Sequence, residues 1–219
     1  MTLQLFGHPF SSYTWKALIP LYENAIPFTF RPLGPDQPDN GAEFGRRWPI
    51  GKFPLLVDGA EQVMEATCIV EHLDAVHPGA TRFLPADPAA AREVRMLDRI
   101  FDHYVMDVAT SVVIDAIRPA ERRDPAGGAE AQAKRDKAYR WLDERMAGRS
   151  GAVGDGFTLA DCAAAPALFY ADWVQPNDGR FPHVAAYRAR LLAHPSVARC
   201  IEGARPYRHL FPLGAPERD

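Results

Sequence analysis

The sequence predicts an α/β N-terminal part followed by an all-α C-terminal part. Up to about residue 80, short alternating apolar runs typical of strands mix with runs at helical spacing, whereas after residue 87 only helical spacing remains. This change places a domain boundary between residues 80 and 87. We therefore predict an N-terminal domain over residues 1–80 and a helical domain over residues 87–212.

The N-terminal elements are predicted in the order β-α-β-β-β-α, which requires a mixed sheet with helices packed against it. Asp58-Gly59 lies between two apolar runs and is a strong hairpin signal. The stretch 34–52 is rich in Pro, Gly and Asp and is predicted to be a loop. The predicted strands cover residues 3–6, 28–33 and both arms of 53–64, and the predicted helices cover residues 12–24 and 65–76.

The C-terminal part begins with Asp87 as a helix cap and Pro88 at the first helical position of a helix of about thirty residues. Thr158 and Asp161 have the spacing of a capping box before an alanine-rich helix, so we expect them to be structural. Further helices are predicted over residues 130–148, 158–174, 181–194 and 195–204.

The composition excludes several classes of protein. A net charge of −3 argues against a dedicated nucleic-acid binder, and no run approaches the roughly 20 apolar residues of a membrane span. The three cysteines, Cys68, Cys162 and Cys200, stand far apart in apolar surroundings, so we expect buried thiols in a reducing compartment. Because the start of the chain lacks the features of a signal peptide, the expected location is the cytoplasm.

Ser11 and Ser12 stand where the first strand has ended and the first helix begins. A serine there is a good helix cap. A hydroxyl at a helix N-terminus can also stabilise an anion such as a thiolate. On these residues alone, capping is the stronger interpretation.

Two further places allow a structural and a functional interpretation. Pro54 directly precedes an apolar strand. The Phe53–Pro54 bond is either an ordinary trans bond or a cis bond, and a cis bond would present the backbone of Phe53 to an extended peptide. Glu65 opens a helix, where it either complements the helix dipole or forms, with free backbone N–H groups, a pocket for a zwitterion.

Other site chemistries find no support in the sequence. The histidines show no metal-binding spacing such as HExxH, so no metal site is expected. The chain has neither a glycine-rich phosphate loop nor a GxSxG motif, which argues against nucleotide binding and α/β-hydrolase chemistry.

Taken in order, these motifs resemble the cytosolic glutathione transferase family over nearly the whole chain. "WPIGKFPLLVDGAEQVMEATCIVEHL" is similar to the family's NPxGxVPxLxxxG…ESxAIxxYL signature, and "FTLADCAAAPAL" is similar to its C-terminal capping box. The resemblance implies a thioredoxin-like N-terminal domain that binds glutathione as co-substrate, and an all-helical C-terminal domain. It also implies a homodimer and a small electrophile as second substrate, with no metal.

The resemblance assigns catalysis to Ser11, five residues before the basic residue Lys16, with Ser12 as the alternate donor to the thiol. "SSYTWK" is similar to the zeta-like pattern "SSCSWR" of maleylacetoacetate isomerases, except for Tyr13. An isomerase of that type is therefore one alternative, and a family member acting as a binding or regulatory protein is another.

The resemblance assigns glutathione binding to a second group of residues. Lys52 would meet the glycyl carboxylate, and the backbone of Phe53, before a cis Pro54, would pair with the cysteinyl part. Glu65 and the N–H of Ala66 would hold the γ-glutamyl end. The family usually has Ser where this chain has Ala66, so we expect weaker glutathione binding.

Candidates for the wall of the electrophile pocket come from the first helical turn and the long helix. They are Phe10, Tyr13, Tyr104, Val108 and Val112.

Overall fold

A four-stranded mixed sheet organises the N-terminal part, with the strand order β2-β1-β3-β4. β1 runs parallel to β2 and antiparallel to β3, and β3 forms a hairpin with β4. The computed structural model describes residues 3–219, so the first two residues of the predicted domain 1–80 lie outside it. The strands are β1 Leu3–Gly7, β2 Phe28–Pro32, β3 Leu55–Asp58 and β4 Glu61–Met64, and the helices are α1 Ser12–Glu23, α2 Pro38–Arg47 and α3 Ala66–Val76.

The prediction of a loop over residues 34–52 is wrong, because α2 lies within it. Its Pro, Gly and Asp content is typical of a loop, but the helix has a proline and an acid in its first turn and two arginines in its last. Asn40 and Phe44 form its buried face, and Phe44 packs on Phe6 of the sheet with the ring centroids 6.3 Å apart. Tertiary contacts therefore override a weak local propensity.

Every regular element from Pro88 onward is helical, as predicted. The long helix that begins at Pro88 is interrupted by a π-helical turn at Phe101–Met106. The next long helix begins at Pro125 rather than near residue 130, because Asp124 caps it by accepting from the Gly127 N–H. The helices are α4 Pro88–Ile100, α5 Asp107–Ala116, α6 Pro125–Met146, α7 Leu159–Val174, α8 Pro182–Ala193 and α9 Pro195–Ala204, with 3₁₀ turns at Ala120–Arg122 and Arg205–Leu210.

The predicted capping box starts α7 and is structural. The buried carboxylate of Asp161 accepts hydrogen bonds from the N–H and the hydroxyl of Thr158, at 2.8 and 2.7 Å. It also accepts from the Ala152 N–H and from the Tyr187 hydroxyl, which ties α8 to the start of α7. Because every acceptor position is used, the charge is tolerated in the core.

The two parts share one apolar core, centred on the contact between α1 and α7. Trp15 of α1 is fully buried against Phe169 of α7, with ring centroids 4.9 Å apart. The limits 1–80 and 87–212 remain a prediction, since α3 ends at Val76 and α4 begins at Pro88.

The cysteine prediction is correct for Cys162 and Cys200, which are buried free thiols. It is wrong for Cys68, whose side chain is exposed. The apolar neighbours that suggested burial, Ile69 and Val70, occupy the inward face of α3, while Cys68 points outward.

Lys16 of α1 is 1% exposed and forms an ion cluster across the two parts of the molecule. Its Nζ lies 2.5 Å from the Asp98 carboxylate of α4 and 2.7 Å from that of Asp102 in the π-helical turn. It also donates to the Thr67 hydroxyl of α3 at 2.9 Å, and Arg99 pairs with both carboxylates from the solvent side. One buried cation thus joins three helices and the π-helical turn.

Substitution Lys16→Met should remove the central cation and leave two buried carboxylates under-compensated. We expect a loss of about 3–5 kcal/mol in the free energy of unfolding near pH 8. Burial already raises the pKa of Asp102, against the lowering effect of Lys16. Without the ammonium, the pKa of Asp102 in the folded protein rises further. A carboxyl whose pKa is raised by folding stabilises the folded state at low pH, and this stabilisation is lost as the pH rises through the folded-state pKa. The loss should therefore be smaller at pH 5 than at pH 8, measured by urea unfolding.

The matched control is Lys134→Met, because Lys134 pairs with Glu130 on the surface of α6 and is 60% exposed. That variant should change the unfolding free energy by less than about 0.5 kcal/mol. Equal losses for Lys16→Met at both pH values would contradict the role given to the carboxylates.

Candidate functional site

The chain segments that the sequence singles out come together at one end of the sheet, where β1, β3 and β4 meet their connections. Phe6, Leu55 and Met64 lie side by side in the register of β1, β3 and β4. Just beyond this row β1 leads to Ser11, the segment Lys52–Pro54 enters β3, and β4 leads to Glu65. Neighbouring strands lie about 4.8 Å apart, so the three connections start within roughly 10 Å of one another.

Ser11 is the N-cap of α1, and its Oγ accepts a hydrogen bond from the Thr14 N–H at 3.3 Å. The preceding loop is held from both sides. The Trp15 indole donates to the Pro9 carbonyl at 2.6 Å, and the Tyr170 hydroxyl donates to the Phe10 carbonyl at 2.8 Å. The cap uses Ser11 only as an acceptor, which leaves its hydroxyl proton available to a bound group.

Ser12 and Tyr13 follow in the first turn of α1, where backbone N–H groups have no acceptor within the helix. The Ser12 side chain lies at the same cavity as that of Ser11. Tyr13 instead donates its hydroxyl proton to Asp107 at 3.0 Å. Burial, together with the charges of Asp102 and Asp107, raises the pKa of Tyr13, so this phenol keeps its proton and donates it to Asp107.

The Phe53–Pro54 peptide bond is cis rather than trans. Pro54 is buried directly before β3, while the Phe53 ring is 37% exposed and packs edge-on against Phe44. Lys52 is exposed, so its ammonium group is accessible to a ligand.

Glu65 adopts φ +66°, in the left-handed region that non-glycine residues rarely occupy. Such residues are concentrated at ligand sites, where the surrounding structure holds them in place. Its carboxylate is exposed and makes no capping hydrogen bond to α3. Ala66, the first residue of α3, is 4% exposed. Because its side chain is a methyl group, the backbone N–H is its only hydrogen-bond donor.

A largely apolar cavity of about 290 Å³ opens between the two parts of the molecule. The hydroxyls of Ser11 and Ser12 and the ring of Phe53 lie on its N-terminal side. Its remaining lining residues are Phe10, Met106, Ala109, Thr110, Val113, Tyr170, Val174, Leu210, Phe211 and Pro212.

Of the pocket candidates taken from the sequence, Phe10 lines this cavity, whereas Tyr13, Tyr104, Val108 and Val112 do not. Tyr104 and Val108 lie on another groove, beside α6. The π-helical turn at Phe101–Met106 explains the error for α5, because its i→i+5 hydrogen bonds shift the helical phase of the residues that follow. The C-terminal lining residues carry no motif that could have revealed them.

No helix in the part of the chain that the structure describes combines the length and the apolar character of a membrane span.

Comparisons with known proteins agree with this arrangement. Residues 5–81 match the family model described as "Glutathione S-transferase, N-terminal domain", and residues 105–195 match "Glutathione S-transferase, C-terminal domain". A probable maleylacetoacetate isomerase of Vibrio cholerae is 26% identical, over 94% of this chain and 98% of the relative. A glutathione S-transferase of Hyoscyamus muticus is also 26% identical, over 92% and 99%.

Solved structures show the same fold. A Methylobacillus flagellatus glutathione S-transferase with glutathione bound has a TM-score of 0.81 at 24% identity, covering 91% of this chain and 98% of that chain. One from Methylobacterium radiotolerans, in complex with glutathione sulfonate, has a TM-score of 0.79 at 27% identity, covering 92% and 95%. With both domains matched in order, the chain belongs to the glutathione S-transferase family, with a thioredoxin-like N-terminal domain and a helical C-terminal domain.

Proposed function

We propose that this protein is a glutathione transferase in which the Ser11 hydroxyl activates the glutathione thiol for attack on a small apolar electrophile. The observation that carries the proposal is the position of Ser11. Its oxygen caps α1 as an acceptor, its proton is left free, and it stands at the wall of an apolar cavity beside the cis Phe53–Pro54 bond.

The chemistry follows from the acidity of the thiol. A free thiol has a pKa of about 8.5, and the thiolate is the nucleophile. A hydrogen bond from Ser11 to the sulfur, together with the positive end of the α1 dipole, favours the thiolate and lowers that pKa. The thiolate then forms a C–S bond with the electrophile, whose leaving group departs with its electron pair.

The binding of glutathione is assigned to the end of the sheet where β1, β3 and β4 meet their connections. The backbone of Phe53 can pair with the extended cysteinyl part, as in strand addition, and Lys52 can reach the glycyl carboxylate. Glu65 would bind the γ-glutamyl ammonium, and the Ala66 N–H at the start of α3 would bind its carboxylate. The family relatives solved with glutathione or glutathione sulfonate support this ligand.

The electrophile is expected to be small and mostly apolar. The cavity of about 290 Å³ is at the lower end of the range for ligand pockets, and its polar lining is limited to a few hydroxyls such as that of Thr110. The proposal includes a homodimer in the cytoplasm and neither nucleic acid nor a membrane as partner.

A glutathione-dependent isomerase of the maleylacetoacetate type is a second candidate, favoured by the relative of that name, which matches 94% of this chain. In that reaction the thiolate adds to a conjugated double bond, the resulting single bond rotates, and the thiolate leaves. Both candidates use the same thiolate site and differ in the electrophile.

The test of the proposal has three measurements. They are retention on immobilised glutathione, conjugation of a reactive aryl halide measured by the absorbance of the thioether, and glutathione-dependent isomerisation of a conjugated double bond. Retention and turnover support a transferase, whereas isomerisation without turnover of the halide supports the second candidate. Neither retention nor any turnover would overturn both and favour a binding or regulatory family member.

We expect Ser11→Ala to lower kcat/KM for conjugation at pH 6.5 by roughly 10- to 100-fold, since a hydrogen bond to a charged group contributes about 1.5–3 kcal/mol. The pH profile should move to higher pH, because the glutathione thiol then ionises closer to its free value. Ser11→Thr, which keeps both the hydroxyl and the helix cap, should restore activity.

Ser12→Ala and Tyr13→Phe are the matched controls and should keep most of the activity. If Ser12→Ala loses activity while Ser11→Ala keeps it, Ser12 is the donor and the assignment moves by one residue.

Substitution Ala66→Ser should strengthen glutathione binding. It adds a hydroxyl donor beside the N–H proposed to hold the γ-glutamyl carboxylate, so Kd should fall by about tenfold or more. Ala66→Gly, which adds no donor, is the control for altered packing at this buried position, and both are measured by isothermal titration calorimetry. An unchanged Kd in Ala66→Ser would place the γ-glutamyl carboxylate elsewhere.

A further inference from the structure

We propose that Asp58, His72 and His77 form a binding site for Zn²⁺ or a similar transition-metal ion, at the end of β3 and α3 away from the thiol site. The sequence predicted no metal site, because its histidines lack a known metal spacing. The fold nevertheless brings these three residues together from the last position of β3, the middle of α3 and the residue that follows α3.

The geometry of the cluster carries the proposal. The Nε2 atoms of His72 and His77 lie 2.9 and 2.7 Å from Oδ2 of Asp58, and the three ligand atoms all lie within 4.8 Å of one another. Two ligands at 2.0–2.1 Å from a tetrahedral zinc ion are about 3.3 Å apart. Small side-chain movements, with the proton of each neutral imidazole exchanging through solvent from Nε2 to Nδ1, would therefore turn the three hydrogen-bonded groups into three ligands, with the fourth position open to water.

The charge and surroundings of the cluster suit a divalent cation. The side chains of His72 and Asp58 are 11% and 19% exposed, so the site is half-buried yet open to an ion. Asp58 supplies the carboxylate of the group, and its Oδ2 lies within hydrogen-bond distance of both imidazoles. Two imidazoles with one carboxylate are ligands that zinc accepts readily.

Glu61 lies near enough to His72 to form an outer hydrogen bond of the kind found in zinc proteins after a small movement of its side chain. Its Oε2 lies 3.7 Å from Nδ1 of His72, the ring nitrogen that faces away from Asp58. A histidine bound to a metal usually donates its other N–H to a carboxylate, which fixes its tautomer and orientation. Glu61 is therefore assigned as a positioning residue for His72.

The position of the cluster separates it from the proposed thiol chemistry. β3 places Asp58 roughly 10 Å from the Pro54 end of the strand, and α3 places His77 roughly 16 Å along its axis from Ala66. Bound metal would join the β3–β4 turn to the end of α3, so its expected effect is on the stability of the N-terminal part. The inference does not rest on the proposed function.

The test uses the full chain without a histidine tag, stripped with a chelator and titrated with Zn²⁺ by isothermal calorimetry. One equivalent should bind, and Co²⁺ in its place should give the visible absorption of a four- or five-coordinate site. The thermal midpoint should rise with Zn²⁺, while any conjugation activity stays unchanged.

His72→Gln and His77→Gln keep a hydrogen-bond donor to Asp58 but supply a poor metal ligand, so both should fold and weaken Zn²⁺ binding by about a hundredfold or more. Glu61→Gln should weaken it by about tenfold. His183→Ala removes an exposed histidine of α8 and should leave binding unchanged. Failure to bind Zn²⁺ at millimolar concentration, or equal affinity in the wild type and both glutamine variants, would overturn the proposal.

Discussion

The burial of the Lys16 ammonium is the constraint on which the arrangement of the two domains depends. A charge that is 1% exposed needs close counter-charges, and these come from Asp98 and Asp102 in the helical part. α1 therefore cannot slide or rotate against α4 without leaving a buried ion unpaired. Because Ser11 caps the same helix, the cluster also fixes the serine hydroxyl relative to the cavity wall.

The site is assembled at one edge of the sheet because three connections leave the sheet in the same row. The cis Pro54, the left-handed Glu65 and the capping Ser11 each stand where a strand meets a helix or a loop. The positive φ of Glu65 is a conformation that local preferences disfavour in a residue other than glycine, and it is held between β4 and α3. The proposed peptide-binding surface is thus made mostly of backbone, and its side chains add charge at the two ends.

The elements with strong local signals could be predicted from the sequence, and those decided by tertiary contacts could not. The hairpin at Asp58-Gly59 and the capping box at Thr158 follow from turn and cap chemistry, which acts within a few residues. The sequence does not predict α2, because its two glycines and its proline are typical of a loop. Phe44 packed on the sheet stabilises the helix. The cavity wall on α5 was misplaced, because a π-helical turn shifts the helical phase and no sequence motif marks it.

The two ends of α3 differ in whether their polar side chains already have hydrogen-bond partners. At its start, Glu65 has a positive φ, and its exposed carboxylate makes no hydrogen bond to the helix, so its charge is open to a ligand. At its end, His72 and His77 already share the Asp58 carboxylate, so that end is satisfied by hydrogen bonds without any ligand. A metal ion there must displace existing hydrogen bonds, whereas the glutathione proposed to bind at the start of the helix would meet a Glu65 carboxylate that makes no capping hydrogen bond. Metal binding should therefore depend on strong ligation, and glutathione binding on the number of donors that the start of α3 can offer.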